Sequence, residues 1–138
     1  MDATGIRDIT IFAAFDESQR ACIAGACQEL EVEEGATLTE QGEFGYAMFA
    51  VTSGTADVFK DGQLVRSLGA GDVFGEIAVF FGGQRTATVI AKSPMRLVML
   101  FNGELARLDR EVPEVGRALR ATVAERLDSD QGATAAAP

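Results

Sequence analysis

The sequence predicts a mainly β domain with helices at both ends, and three features of the chain predict it. Between positions 30 and 101, apolar and polar residues alternate in short runs, which is typical of strands with one buried face. Turn sequences separate these runs, and the chain contains fifteen glycines. Outside this region the apolar spacing lengthens to three or four residues, which indicates helices. Short strands with frequent turns favour a sandwich, a roll or a barrel.

The first helical region precedes the strands. Residues 1–15 carry apolar side chains at a roughly helical period. Asp16 has the residue type of an N-cap for the next helix, and Gln19 lies at the spacing of a capping box. This helix is expected to present one apolar face, made of Ile23, Ala26, Cys27 and Leu30.

Strands fill the middle of the chain. The alternation predicts strands at 30–32, 37–39, 46–52, 55–60, 63–68, 86–91 and 95–101. Asp61-Gly62 lies between two of them and predicts a type I′ hairpin turn. We find no internal sequence repeat.

Two further helices are predicted after the strands. Asn102 is expected to be the N-cap of the first, and Pro113 suits the first turn of the second. In the second, apolar residues recur every four positions: Val115, Leu119, Val123 and Leu127. This stripe either docks on the strands or pairs with a second copy of the chain in a homodimer. Residues 128–138 are predicted to be a frayed tail, so the single domain is expected to span residues 1–127.

Charge and residue types exclude several classes of function. The net charge is −9, and a field of that sign repels nucleic acids and anionic membrane surfaces. We therefore expect no nucleic-acid partner and no membrane partner. The chain has no histidine, which removes the commonest transition-metal ligand and the usual general base. A metal site and an enzymatic role are therefore not expected.

The N-terminus and the cysteines favour a cytoplasmic protein. Charged residues interrupt the first fifteen positions, so no signal peptide is predicted, and no apolar run reaches the length of a membrane span. Cys22 and Cys27 are five positions apart, which is not the spacing of a C-x-x-C motif. We interpret them as small buried hydrophobic residues in a reducing compartment.

The stretch 74–89 carries residue types that suit a small anion. Gly75 allows the backbone to come close to a ligand, and the residues after it can form a helical turn whose N–H groups point at negative charge. Arg85 supplies a planar, permanently charged fork that suits a phosphate diester. Glu76 accepts hydrogen bonds when ionised, so it suits a sugar hydroxyl. The alternative is an ordinary hairpin turn with a surface arginine.

This stretch resembles the phosphate-binding cassette of the cyclic nucleotide-binding domain family. The family pattern is roughly F-G-E-[LI]-A, several residues, then R-[ATS]-A-[TS]-V. Here the two blocks are Phe74-Gly75-Glu76-Ile77-Ala78 and Arg85-Thr86-Ala87-Thr88-Val89, at the family's spacing. The resemblance extends over residues 8–127. It implies a double-stranded β-helix of the jelly-roll type, here called the β-roll, flanked by N-terminal helices and two C-terminal helices.

The resemblance implies a role for each residue of the cassette. Arg85 is expected to pair with the cyclic phosphate, and Glu76 to accept a hydrogen bond from the ribose 2′-hydroxyl. Backbone N–H groups of Gly75, Ile77 and Ala78 are expected to complete the phosphate cradle.

The resemblance leaves the choice of purine open. Thr86 either donates its hydroxyl to the phosphate or to a purine edge, or it is a β-former in a strand. A threonine there is similar to cGMP-preferring kinase domains, but cAMP-binding bacterial regulators also carry a small hydroxyl residue; cAMP is favoured as the commoner ligand. Phe74 and Ala87 are expected to form pocket wall or core. Candidates to stack on the base from the last helix are Arg117, Arg120 and Arg126.

The function implied is that of a non-catalytic sensor. It would bind cAMP or cGMP as a ligand, carry no cofactor, redock its C-terminal helices and signal to a downstream protein. One alternative is a degenerate β-roll that binds no nucleotide and acts through protein–protein contacts. A metal enzyme of the cupin type is disfavoured because the chain lacks histidine.

Overall fold

Two four-stranded antiparallel sheets, with helices before and after them in the sequence, make up the fold. The computed structural model describes residues 9, 12, 13, 15–76, 79 and 82–133, and for residues 126–133 only the backbone. The helices are α1 (Glu17–Ala26), α2 (Asn102–Glu111) and α3 (Pro113–Ala133). The strands are β1 (Gln28–Val32), β2 (Thr37–Thr39), β3 (Ala47–Ser53), β4 (Ala56–Lys60), β5 (Gln63–Leu68), β6 (Val73–Phe74), β7 (Thr88–Ala91) and β8 (Met95–Phe101).

The order of the strands confirms the predicted β-roll. The first sheet has the order β1-β8-β3-β6 and the second has the order β2-β7-β4-β5. Consecutive strands therefore alternate between the sheets, apart from β4 and β5, which form a hairpin. At its tip, Asp61 and Gly62 have φ angles of 53° and 79°, and positive φ at both positions is what a type I′ turn requires.

Strand β3 separates two apolar clusters, because its successive side chains point to opposite faces of the sheet. Phe49 and Val51 belong to the cluster inside the roll, together with residues of the second sheet. Met48 and Ala50 belong to the cluster that packs against the three helices. Both faces are covered, which explains why the first five residues of this strand are all buried.

The N-terminal capping prediction is confirmed. The side chain of Asp16 accepts a hydrogen bond from the N–H of Gln19 at 2.8 Å, and the N–H of Asp16 donates to the Gln19 side chain at 3.0 Å. Helix α1 ends at Ala26. The expectation that Leu30 belongs to the helical face is therefore wrong, because this residue lies in β1.

Several boundaries in the roll also differ from those predicted; β1, for example, begins at Gln28 rather than at residue 30. Asn102 is not the N-cap of α2, since the helix begins at this residue and Phe101 occupies the cap without a side-chain hydrogen bond. The reason is that β8 stays paired with β3 through Phe101 and Ala47. Strand β7 begins at Thr88 rather than at residue 86.

Helix α3 docks on the chain itself. Val115, Leu119 and Val123 are buried in the cluster that also contains residues of α1, α2 and the first sheet. The side chain of Leu127 lies outside the described residues. The helix continues to Ala133, and a domain boundary at residue 127 stays a prediction. None of the helices in the described part of the chain has the length and apolar character needed to span a membrane.

Candidate functional site

The cassette begins at Phe74, the last residue of β6, and continues with a glycine that no other residue can replace without strain. Gly75 has a φ of 80°. This value lies in the left-handed region, which residues other than glycine rarely adopt. A Cβ atom at this position would lie 2.5 Å from Nη1 of Arg85 and 3.3 Å from the carbonyl oxygen of Ala47. The glycine therefore permits a close approach between the backbone and the arginine side chain.

The guanidinium of Arg85 points into the protein and is held by two backbone carbonyls. Nη1 donates to the carbonyl of Gly75 at 2.9 Å, and Nη2 donates to that of Ala47 at 2.6 Å. The guanidinium carbon also lies 5.9 Å from the centre of the Phe49 ring, within the range of a cation–π contact. These contacts place a cation at the edge of the roll interior.

The backbone of Arg85 is fixed by the loop that precedes β3. Its N–H donates to the carbonyl of Glu43 at 2.6 Å, and its carbonyl accepts from the N–H of Gly42 at 2.9 Å. Because this segment pairs with the loop, Thr86 and Ala87 lie before the start of β7. This pairing explains the shorter strand and sets the direction in which the arginine side chain enters the site.

Glu76 is the most deeply buried charged residue among those described. Its relative exposure is 1%, and it lies close enough to Arg85 to act on that residue's ionisation. Burial lowers the pKa of Arg85 from its ordinary value, and the charge of Glu76 opposes this shift. An arginine stays protonated in proteins, so the site holds a buried carboxylate beside a half-buried cation.

Of the remaining cassette residues, some are buried, one is half-buried and two lie outside the described residues. Phe74 and Ala87 are buried in the cluster inside the roll, and the Phe74 ring stacks on Phe49 with centroids 5.0 Å apart. Thr86 is half-buried. Ile77 and Ala78 lie outside the described residues, so their part in the phosphate cradle stays a prediction.

One of the arginines of α3 forms an ion pair with the preceding helix. Nη2 of Arg120 pairs with Asp109 of α2 at 2.6 Å, and Arg117 is exposed. The side chain of Arg126 lies outside the described residues. The stacking role suggested for these three arginines stays a prediction.

Sequence reasoning missed a third charged side chain that faces the roll. Arg66 lies on β5 opposite Val58 of β4, and Val58 is buried inside the roll. The sequence signal was partial. Arg66 lies two positions before Leu68 and shares its face of the strand, but a bulge separates it from Leu64, which is exposed. We overlooked it because an arginine within a β-hairpin is usually solvated.

One cavity in the described part of the chain lies away from the cassette. Its volume is about 530 Å³, and it lies over β1, β8 and β3. Its rim includes Glu31 and Arg96, which form an exposed ion pair at 3.1 Å. No cassette residue lines it, so we assign the site by the buried charges of the cassette. Across the described residues, no three cysteine or carboxylate side chains are grouped in a way that could hold a metal ion.

Comparison with known proteins identifies the family. The model of the cyclic nucleotide-binding domain matches residues 29–111. The chain belongs to the cyclic nucleotide-binding domain family. The matched residues contain the whole cassette and all the strands except the first residue of β1.

Relatives of this cyclic nucleotide-binding domain include kinase regulatory subunits and a transcriptional regulator. The cAMP-dependent protein kinase regulatory subunit of Aspergillus niger is 30% identical over 114 residues, which are 81% of this chain and 28% of that protein. The structure of the N-terminal domain of a transcriptional regulator from Streptomyces coelicolor A3(2) is 31% identical, with a TM-score of 0.78 and 94% of both chains covered. The regulatory domain of Toxoplasma gondii PKA, crystallised with cAMP, is 27% identical, with a TM-score of 0.74, and the match covers 91% of this chain and 49% of that one. The chain spans about a quarter of the length of the curated relatives it matches.

Proposed function

We propose that this chain is a non-catalytic sensor domain that binds a 3′,5′-cyclic purine nucleotide, cAMP or cGMP, in the roll. The observation that carries the proposal is the juxtaposition of Arg85 and Glu76 at the roll interior, with the arginine held by the carbonyls of Gly75 and Ala47. A guanidinium suits a phosphate diester, and a carboxylate suits a ribose hydroxyl. The cyclic nucleotide carries both groups on one ring system.

The proposed ligand site extends over both blocks of the cassette. It comprises Phe74, Gly75, Glu76, Ile77, Ala78, Arg85, Thr86 and Ala87. Arg85 takes the phosphate, the glutamate takes the 2′-hydroxyl, and backbone N–H groups after the glycine complete the cradle. Phe74 and Ala87, both buried, act as walls. The domain that carries this site is proposed to span residues 1–127.

The output is proposed to be a change in how the C-terminal helices dock. Helix α3 packs through apolar side chains onto α1 and α2, and apolar packing is non-directional, so it favours burial in more than one arrangement. A ligand shifts this equilibrium only if it binds one arrangement more tightly than the other. Relatives that are regulatory subunits support a protein as the downstream partner.

A second candidate function is a protein-interaction module that binds no nucleotide. Phe44 and Tyr46 favour it, because these two aromatic side chains are 64% and 63% exposed in the loop next to the exposed carboxylates Glu40 and Glu43. Aromatic residues are enriched in protein interfaces. The buried Glu76 favours the sensor, since burying a charge is costly without a function that needs it.

Titration calorimetry with cAMP, cGMP and 5′-AMP separates these functions. We expect at least one cyclic nucleotide to bind with micromolar or tighter affinity, about −8 kcal/mol, and 5′-AMP to bind much more weakly. We expect Arg85→Ala to weaken binding by about 2–5 kcal/mol, because it leaves the phosphate without its charged partner.

Arg96→Ala is the matched control, since this arginine is exposed and pairs with Glu31 away from the cassette. It should leave the affinity unchanged. A folded protein that takes up neither cyclic nucleotide would favour the interaction module. Unchanged binding by the Arg85 variant would show that the phosphate is held elsewhere.

A further inference from the structure

Residues 40–46, which join β2 to β3 and are here called the 40–46 loop, present two large aromatic side chains to solvent. Phe44 and Tyr46 are 64% and 63% exposed, and no other aromatic residue in the described part of the chain is exposed to this degree. Single exposed apolar residues are ordinary on protein surfaces, whereas exposed aromatics close together are typical of an interaction surface.

Hydrogen bonds fix the backbone of the loop that carries these rings. The N–H of Gly42 donates to the carbonyl of Arg85 at 2.9 Å, and the carbonyl of Glu43 accepts from the N–H of Arg85 at 2.6 Å. At the end of the loop, the carbonyl of Tyr46 accepts from the N–H of Asn102 at 2.8 Å. A surface that is ordered before binding loses less conformational entropy when a partner docks, which favours affinity.

Two carboxylates accompany the rings on the same loop. Glu40 and Glu43 are both exposed, and the N–H of Glu43 donates to the carbonyl of Glu40 at 3.1 Å, so a turn brings the two residues together. The ion pairs formed among the described residues include neither of them. The loop therefore offers unpaired negative charge next to exposed aromatic rings.

This combination determines the chemistry of a partner. Carboxylates attract lysine and arginine side chains, and the face of an aromatic ring attracts the same cations. Complementary potentials across an interface favour the matching partner and suppress others. The apolar surface of the rings requires apolar side chains opposite it. A protein segment that carries both basic and apolar residues meets all of these requirements.

The charge of the whole chain disfavours other occupants. The net charge is −9, so a second copy of the chain would bring a like-charged surface to the loop, and like charges placed together are costly. Nucleic acids and anionic membrane surfaces are repelled for the same reason.

We propose that the 40–46 loop is a docking surface for a basic segment of a partner protein. Phe44 and Tyr46 contact apolar side chains of that segment, while Glu40 and Glu43 pair with its arginine or lysine residues. The proposal adds a protein-binding site to the proposed function and does not depend on nucleotide binding. A nucleotide sensor and a docking surface can therefore coexist in one chain.

The first test is titration calorimetry with synthetic peptides on the full chain. The probe is a peptide of alternating arginine and leucine, and its controls replace leucine by serine or arginine by glutamate. We expect the parent to bind the arginine–leucine peptide, to bind the arginine–serine peptide more weakly, and not to bind the glutamate–leucine peptide.

The aromatic contribution is tested by the double variant Phe44→Ser, Tyr46→Ser. We expect it to bind the arginine–leucine peptide about tenfold more weakly or worse, because buried aromatic anchors carry much of the energy of an interface. The matched control is Leu64→Ser, Val65→Ser, which removes two exposed apolar side chains from β5. It should leave the affinity unchanged.

The charge contribution is tested by Glu40→Gln, Glu43→Gln, which should weaken binding and reduce its dependence on salt. Glu33→Gln, Glu34→Gln is the matched control, because it removes two exposed carboxylates from the turn between β1 and β2. Attraction of the peptide by net charge alone would lower the affinity of both variants equally, and that result would overturn the proposal.

Fluorescence locates the bound peptide. Tyr46 is the only tyrosine and the chain has no tryptophan, so tyrosine emission reports on this loop. The arginine–leucine peptide should change the emission of the parent along the same binding curve that calorimetry gives. Binding without a change in emission would place the peptide elsewhere and contradict the proposal.

Further outcomes would also overturn the proposal. A parent that does not bind the arginine–leucine peptide would do so, as would an aromatic double variant, shown to be folded by circular dichroism, that binds it as tightly. Binding to phosphatidylcholine vesicles that is lost in this variant would assign the rings to a membrane, and a dimer that is lost in it would assign them to a second copy. A loss of cyclic nucleotide affinity would assign them to the nucleotide site. The proposed function is judged separately, by nucleotide binding to the parent and to Arg85→Ala, so the two proposals can fail independently.

Discussion

The interior of the roll and the joint between the roll and the helices are both buried, but they are built from different side chains. The buried polar residues among those described, Thr39 and Glu76, both belong to the roll, and Arg85 and Arg66 extend their guanidinium groups towards its interior. The joint is formed by apolar side chains of α1, α2, α3 and the outer face of the first sheet.

This difference assigns ligand recognition to the roll and most of the stabilising apolar packing to the joint, under the proposed function. Keeping charged groups away from water costs free energy, so the interior of the roll contributes less to stability than an apolar core of the same size would. Apolar packing is non-directional and favours burial in more than one arrangement. The joint can therefore hold the fold together while the helices change position, and the roll can select the ligand.

Leu119→Ala is expected to have the largest effect on the joint. This residue is fully buried in the joint, and removing its side chain leaves a cavity between helices. We expect the free energy of unfolding of the ligand-free protein, measured with urea, to fall by about 2–5 kcal/mol.

Arg117→Ala is the control for this change, because it is an exposed residue on the same helix; its effect should stay within about 0.5 kcal/mol. Equal stability of the Leu119 variant and the parent would mean that α3 is not docked as described. A change in nucleotide affinity beside the loss of stability would show that the joint and the roll are energetically coupled, as the proposed switch requires.

Local sequence signals predicted those elements whose determinants lie close together in the chain. Asp16 and Gln19 form the predicted capping box, the hairpin turns at Asp61-Gly62, and β8 has the predicted bounds, 95–101. In each case the deciding interactions are within a few residues or follow the period of one strand.

Features set by distant partners could not be predicted in this way. Asn102 has the residue type of an N-cap, but its N–H donates to the carbonyl of Tyr46 and the cap falls one residue earlier. Strand β7 is shortened because the backbone of Arg85 pairs with a loop more than forty positions earlier. In the site, the sequence pattern pointed to Arg85 and Glu76, whereas the inward direction of Arg66 depends on the register between β4 and β5.

Gly75→Ala tests the roll, with an expected loss of about 1–3 kcal/mol in stability. The methyl group would force an alanine to a φ of 80°, which costs about that much. It would also displace the Arg85 guanidinium, which lies 2.5 Å from the added Cβ position. We therefore expect weaker binding of cyclic nucleotide as well, measured by calorimetry on a sample shown to be folded.

Gly62→Ala is a closely matched control. Gly62 has a φ of 79°, but nothing lies within 4 Å of a Cβ added there. The two variants should lose similar stability, and only the Gly75 variant should lose affinity. If both lost affinity equally, backbone strain rather than the position of Arg85 would account for the effect.

The thiol of Cys27 gives the stability of the joint a pH dependence. Burial raises the pKa of Cys27 from 9.0 to about 12. Because the unfolded thiol ionises first, the stabilisation is complete below pH 9 and is lost as the pH rises towards 12. Between pH 9 and pH 10 we expect the free energy of unfolding to fall by about 1 kcal/mol more in the parent than in Cys27→Ala. Parallel pH profiles for the two proteins would show that the buried thiol does not control this decline.

Arg120→Ala should have the smallest effect, although it breaks the ion pair that links α3 to α2 outside the apolar joint. The arginine and Asp109 are 2.6 Å apart, but their side chains remain 45% and 35% exposed, and exposed pairs contribute about 0.2–1 kcal/mol. We expect a loss in that range by urea denaturation, which should shrink in high salt because screening weakens the pair. Asp109→Ala should give a similar loss, and the double variant should lose less than the sum of the two. A loss as large as that of Leu119→Ala would mean that charge, rather than apolar packing, holds α3 in place, and the division between a charged roll and an apolar joint would no longer describe the protein.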